Sequence, residues 1–123
     1  MKVQHHSLDA WREAVNLAKM VYRNTGGFPK AELFGLTSQI RRSAVSVPSN
    51  IAEGAARLTQ RDFLRFLGIA RGSLMELETG VVIAAEVGFL GKPEVDELTS
   101  QIERVFTFLS GLITNVRSKL NEP

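Results

Sequence analysis

A chain of 123 residues, 44 % apolar and free of cysteine, has the size of one domain and enough apolar side chains for a packed core. It has no means of building a disulfide scaffold, a thiolate metal site or a cysteine nucleophile. No apolar run approaches the roughly 18 residues that span a membrane, and the polar start MKVQHHSLDAW lacks a signal-peptide core, so a soluble cytoplasmic protein is expected. The net charge is only +2 but unevenly spread: residues 37–72 hold six arginines against Glu53 and Asp62, and residues 73–103 hold Lys92 against seven carboxylates.

The first apolar pattern is Leu8, Trp11, Val15, Ala18 and Tyr22, spaced as one stripe of a helix over about residues 8–24, with Ser7 or Asp9 to cap it and Gly26-Gly27 to end it. A second helix, about 30–55, opens near Pro29 and presents Leu33, Leu36, Ile40, Ala44, Val47 and Ile51. The third, about 60–88, has Thr59 as its cap with Asp62 three residues on, and Leu58 and Phe63 spaced for a hydrophobic staple. Its stripe is Phe63, Leu67, Ala70, Leu74, Leu77, Val81 and Ala84, and Gly88 or Gly91 ends it. The fourth, about 93–119, starts near Pro93 and carries Val95, Leu98, Ile102, Val105, Leu109, Leu112 and Val116. Nothing alternates with period two, and short connections force antiparallel neighbours. The expected fold is therefore all-α, an antiparallel up-down-up-down four-helix bundle within a single domain spanning 1–123. Helices three and four carry more apolar residues than the three in seven a bundle needs. Phe66, Ile69, Val82, Ile83, Ala85 and Val87 on one, with Phe106, Phe108 and Ile113 on the other, suggest a subunit interface.

The pattern is interrupted once, in QIRRSAVSVPSNIAEGAAR at residues 39–57. Proline lacks an N–H and clashes with the preceding turn, so Pro48 predicts a kink or a join between two shorter helices. Ser46, Ser49 and Asn50 are the residues able to bond the freed backbone groups. Ile51 extends the core stripe, and Glu53, flanked by Ala52 and Gly54, is placed to pair with Arg41, Arg42 or Arg57.

This segment, with GLTSQIRRSA before it and FLRFLGIARGSLMELET after it, resembles the four-helix-bundle family of 23S rRNA-intervening-sequence proteins, or S23 ribosomal proteins, from about Leu8 to Leu120. The resemblance implies a homopentameric ring in which each bundle packs on the next. The family includes accessory proteins of diversity-generating retroelements, so it also implies nucleic acid, RNA above all, and a protein such as a reverse transcriptase as partners.

Catalytic chemistry finds no residues to carry it. His5 and His6 are adjacent, ahead of the first helix, and form no closed metal site. No histidine lies on helices two to four, which removes a di-iron bundle. Ser43, Ser46, Ser49 and Ser73 have no histidine on the same element to serve as base. Gly68 and Gly72 lie inside a helix four residues apart and read as close-packing positions rather than a phosphate loop. Neither an enzyme nor a cofactor is expected. The arginines carry the functional expectation: Arg57, Arg61 and Arg65 recur every four residues at a helix start, where exposed N–H groups favour phosphate. Arg41 and Arg42 would join them if helices two and three are neighbours. These five are the candidate nucleic-acid contacts of a non-catalytic binding or scaffold protein. The alternative is a homo-oligomeric interaction module whose arginines bridge subunits.

Overall fold

A computed structural model describes residues 3–120. A short 3-10 turn, Gln4–Ser7, leads into helix α1 (Asp9–Thr25). A second 3-10 turn, Lys30–Glu32, precedes α2 (Leu36–Ala55), which is followed by α3 (Gln60–Glu86) and α4 (Lys92–Leu120). Each helix packs on its neighbours in sequence and α4 closes on α1, while the diagonal pairs stay apart. That is the up-down-up-down ring of an antiparallel four-helix bundle. Among the described residues no helix is long and apolar enough to cross a membrane.

The core is continuous along the bundle axis, with Leu17, Val47, Ile51, Leu67, Leu74, Leu77, Val105 and Leu109 fully buried. The stripes of α3 and α4 run as their spacing predicts, except that Phe63, Val95 and Leu112 are half-buried and Ile113 belongs to the core. Helix α1 is turned by one position. Its buried residues include Ala10, Ala14, Leu17 and Val21, while Trp11, Val15 and Ala18 are half-buried and Tyr22 is exposed. Two apolar seams lie side by side on α1, and the one with small residues faces inward, where it lets the helix approach its neighbours closely. The bulky seam lies along the rim, with Trp11 against the His5 and His6 rings at 4.9 and 4.7 Å. Leu8, not Ser7 or Asp9, occupies the N-cap position, and no side chain caps it.

Helix α2 starts at Leu36, later than its hydrophobic pattern suggests. Pro29 precedes the 3-10 turn, Gly35 is the N-cap, and the Leu36 N–H donates to Glu32 Oε1 at 3.1 Å. Leu33, expected in the core, is therefore exposed, and Phe34 is 93 % exposed. Pro48 does not join two helices. Helix α2 is unbroken through it, and the ring is buried. Helix α3 closes at Gly88, which adopts φ +84°, with the Phe89 N–H reaching back to the Ala84 carbonyl at 2.8 Å. This is the left-handed closure that glycine accepts without strain. The Phe89 ring meets Phe28 at 5.6 Å and ties the α3–α4 connection to the α1–α2 connection at the same end of the bundle.

The α2–α3 seam is close-packed, and two glycines make it so. A Cβ on Gly80 would lie 2.8 Å from Ile40 Cγ1, and one on Gly54 would lie 2.7 Å from Phe66 Cβ. Gly68 and Gly72, expected to serve this purpose, face open space. Between the two close approaches, Ser46 and Ser73 share a hydrogen bond of 2.7 Å across the seam. On the opposite side of the bundle, Gln101 of α4 donates to the Glu13 carbonyl and to Glu13 Oε1, both at 3.0 Å, and Arg104 Nε meets the same carboxylate at 3.0 Å. Together these hold the Glu13 carboxyl below its ordinary value, the Gln101 hydrogen bond contributing most.

Candidate nucleic-acid interface

The residues of the interrupted motif divide by the face of α2 they occupy. Asn50 Nδ2 donates to the Ser46 carbonyl at 2.8 Å and to Ser46 Oγ at 3.0 Å, which extends the Ser46–Ser73 bridge into a three-residue polar chain. Ile51 is fully buried. Glu53 is exposed rather than partly buried, and of its three candidate partners it pairs with Arg57, Oε1 to Nη2 at 3.5 Å. Gly54 is buried because Phe63 and Phe66 of α3 cross over it, the Phe63 ring 3.0 Å from where a Cβ would stand.

That crossing builds a platform. Phe66 is seated on Gly54 and is 7 % exposed, with the Arg57 and Arg65 guanidinium groups each 4.5 Å from its ring centroid. Cations over an aromatic ring gain electrostatic attraction and are held in place. The cap of α3 forms as its sequence predicts: the Asp62 N–H donates to Thr59 Oγ1 at 3.1 Å. The Leu58 half of the expected staple is absent, since that side chain is fully exposed. Arg65 Nε lies 3.8 Å from Asp62 Oδ1. This pair and Arg57–Glu53 are loose and solvent-exposed, a class of contact that adds little energy and leaves the guanidinium groups largely free. Arg61 is exposed and makes no ion pair among the described residues. The last turn of α4 brings Arg117 and Lys119 to the same end of the bundle.

Arg41 and Arg42 do not join this cluster. They sit near the start of α2, ~20 Å along the helix from its C-terminal end. Arg41 turns inward: its Nε donates to Thr25 Oγ1 at 2.9 Å, and its guanidinium lies 4.7 Å from the centroid of the Tyr22 ring. Arg42 borders a polar groove with Phe34, Ser46, Ser73 and Glu76. Sequence reasoning misses two aromatics. From spacing alone Phe66 is one more member of a wide apolar face, although the glycine of the motif signals that something large must cross α2. Phe34 falls inside the expected second helix, although Gly35 directly after it marks the true helix start.

Fold and surface together define an all-α four-helix bundle with one arginine-lined end. The chain belongs to the family of 23S rRNA-intervening sequence proteins, whose model matches residues 6–111. It is similar in fold to a crystal structure of a protein with unknown function from the S23 ribosomal protein family of Bacteroides thetaiotaomicron. The TM-score is 0.77 at 19 % identity, with 85 % of this chain and 95 % of that chain covered. No curated protein matches this chain.

Proposed function

We propose that this protein is a non-catalytic, self-assembling binding protein that contacts the phosphate backbone of RNA through Arg57, Arg61 and Arg65. The reading rests on one observation above all: Arg57 and Arg65 lie over Phe66 at 4.5 Å while Arg61 between them has no acidic partner among the described residues. The carboxylates beside Arg57 and Arg65 meet them only in long, solvent-exposed pairs, so the guanidinium groups face solvent at a helix start, where N–H groups add to the attraction for phosphate. Such contacts bind without sequence specificity and weaken steeply with salt. Arg41 and Arg42, far along α2, belong to other surfaces.

Self-assembly is supported by the outward face of α3, where Ile69, Met75, Val82, Ile83 and Val87 are all exposed, and by the rim seam of α1 that ends in Tyr22. A head-to-tail ring would set one such face against the other in each neighbouring pair. A pentameric ring, and a protein partner such as a reverse transcriptase, rest on the family resemblance alone.

The test is fluorescence anisotropy with a labelled single-stranded RNA and a duplex DNA at two salt concentrations, beside light scattering for mass. Arg61→Glu with Arg65→Glu should keep helicity and mass while abolishing salt-sensitive RNA binding. If that double variant falls to a 13.6 kDa monomer, the arginines bridge subunits instead, and the protein is an interaction module without a nucleic-acid ligand.

A further inference from the structure

At the end of the bundle opposite the arginine face, the α1–α2 connection folds over a pocket of ≈ 190 Å³. Its polar lining is Thr25, Lys30, Thr37 and Arg41, so it holds two cations and no carboxylate. Arg41 is fixed by its Nε bond to Thr25 and by its contact with the Tyr22 ring. Its two terminal nitrogens make no hydrogen bond or ion pair among the described residues. A planar guanidinium held this way is pre-organised for a bidentate oxyanion. Thr37 is 3 % exposed and its Oγ1 has no hydrogen-bond partner. A buried hydroxyl left unpaired is costly and calls for an explanation. Thr37 lines the pocket, so an oxyanion bound there would offer its unpaired hydroxyl an acceptor. The carboxylate on the adjoining turn, Glu32, is engaged by the Leu36 N–H.

We propose that this pocket binds a single phosphate group, held by Arg41 and Lys30 with Thr37 as a third donor. The volume supports one tetrahedral oxyanion rather than a whole nucleotide, since pockets for small organic ligands begin at about 300 Å³. The group comes either from free inorganic phosphate or from a phosphodiester of a strand passing that end. The inference does not depend on the RNA contacts of Arg57, Arg61 and Arg65, because inorganic phosphate alone tests it.

The experiment is thermal melting of the full chain with increasing inorganic phosphate against chloride at matched ionic strength. A ligand of the folded state raises Tm saturably, whereas phosphate acting as an excluded salt raises it without saturation and regardless of sequence. The wild-type chain should show a saturable rise. Arg41→Gln should weaken apparent affinity by at least about tenfold, since it removes the positive charge and the two-nitrogen fork that holds the oxyanion. Arg41→Gln also loosens α1 from α2, so Lys30→Gln, an exposed site outside the core, is the second variant. It should lower phosphate affinity with its phosphate-free Tm unchanged. Arg61→Glu with Arg65→Glu should leave the phosphate response intact, separating failure here from failure of the RNA reading. A diribonucleoside monophosphate that competes would identify the source as a strand, and one that does not would identify it as the free ion. A rise that is unsaturable, or equal in the wild type and both pocket variants, overturns the proposal.

Discussion

The two ends of α2 use the same residue for opposite purposes. Near its start, Arg41 is drawn inward by a neutral partner, Thr25, and an aromatic on α1. Just past its C-terminus, Arg57 is raised outward on Phe66, together with Arg65. The difference is set by what the neighbouring helix offers at each level. Where α2 meets α1 there is a buried hydroxyl with an acceptor lone pair to spare. Where α2 meets α3 there is only a ring, brought close because Gly54 has no side chain. The arginine near the α2 start thus joins helices, and those at the far end decorate a surface. Glycines repeat the lesson, since Gly80 admits Ile40 while Gly72 on the same helix admits nothing.

The sharpest way to break the contrast is at the seam itself. Gly80→Val places branched methyls where even a Cβ would come within 2.8 Å of Ile40, and overpacking of this kind costs about 1–3 kcal/mol. Urea denaturation should show that loss with an unchanged m-value. A Gly80→Val chain as stable as the parent would mean the helices separate freely and the seam is not close-packed. Next in size is Arg41→Ala. Loss of a charge-assisted bond to Thr25 and of the Tyr22 contact should cost about 1–2 kcal/mol. Arg61→Ala should stay within about 0.5 kcal/mol, as an exposed residue without partners does. Equal effects at the two sites would erase the distinction between a joining and a decorating arginine.

Heptad spacing makes the bundle legible because four apolar stripes separated by Gly and Pro leave few other folds open, and α3 in particular follows its stripe. It does not reveal which of two adjacent seams on α1 turns inward. Both have helical period, so spacing does not separate the seam of Ala10, Ala14, Leu17 and Val21 from the seam of Trp11, Val15 and Tyr22. The start of α2 is hidden in the sequence because Leu33 continues a helical spacing even though Gly35 supplies the cap. The NIAEG segment is visible as special, but its consequence depends on Phe66 of the next helix, which only the antiparallel crossing brings over Gly54. Likewise, Arg41 and Arg42 are expected beside Arg57 because helices two and three are neighbours, which they are, but the rise of α2 sets the two arginines ~20 Å from its C-terminal end.

A smaller effect tests the glycine half of the contrast with opposite sign. Gly72 is exposed in mid-helix, and nothing lies within 4 Å of where its Cβ would stand. Gly72→Ala should therefore stabilise by up to about 1 kcal/mol through helix propensity alone. If it destabilises, something absent from the single chain packs there, which would favour a neighbouring subunit on that face of α3.

The smallest expected effect concerns a third kind of arginine, Arg104, whose charge is closed by Glu13 at 3.0 Å. The Glu13 carboxyl is held below its ordinary value of 4.5, first by the Gln101 hydrogen bond and then by Arg104. A carboxylate with a lowered folded pKa adds stability that is fully present above its unfolded value and disappears as pH falls through the folded one. The Tm difference between wild type and Glu13→Gln should therefore be largest near neutral pH and vanish in acid below the carboxylate range. The Arg41–Thr25 contact involves no titrating partner, so the deficit of Arg41→Ala should persist across the same range. If both deficits fade together in acid, Arg41 is coupled to a carboxylate after all, and the neutral character that separates the two ends of α2 is lost. Added salt gives an independent check: it should narrow the Glu13 difference, since the pair is partly exposed and screened, and leave the Arg41 difference largely in place.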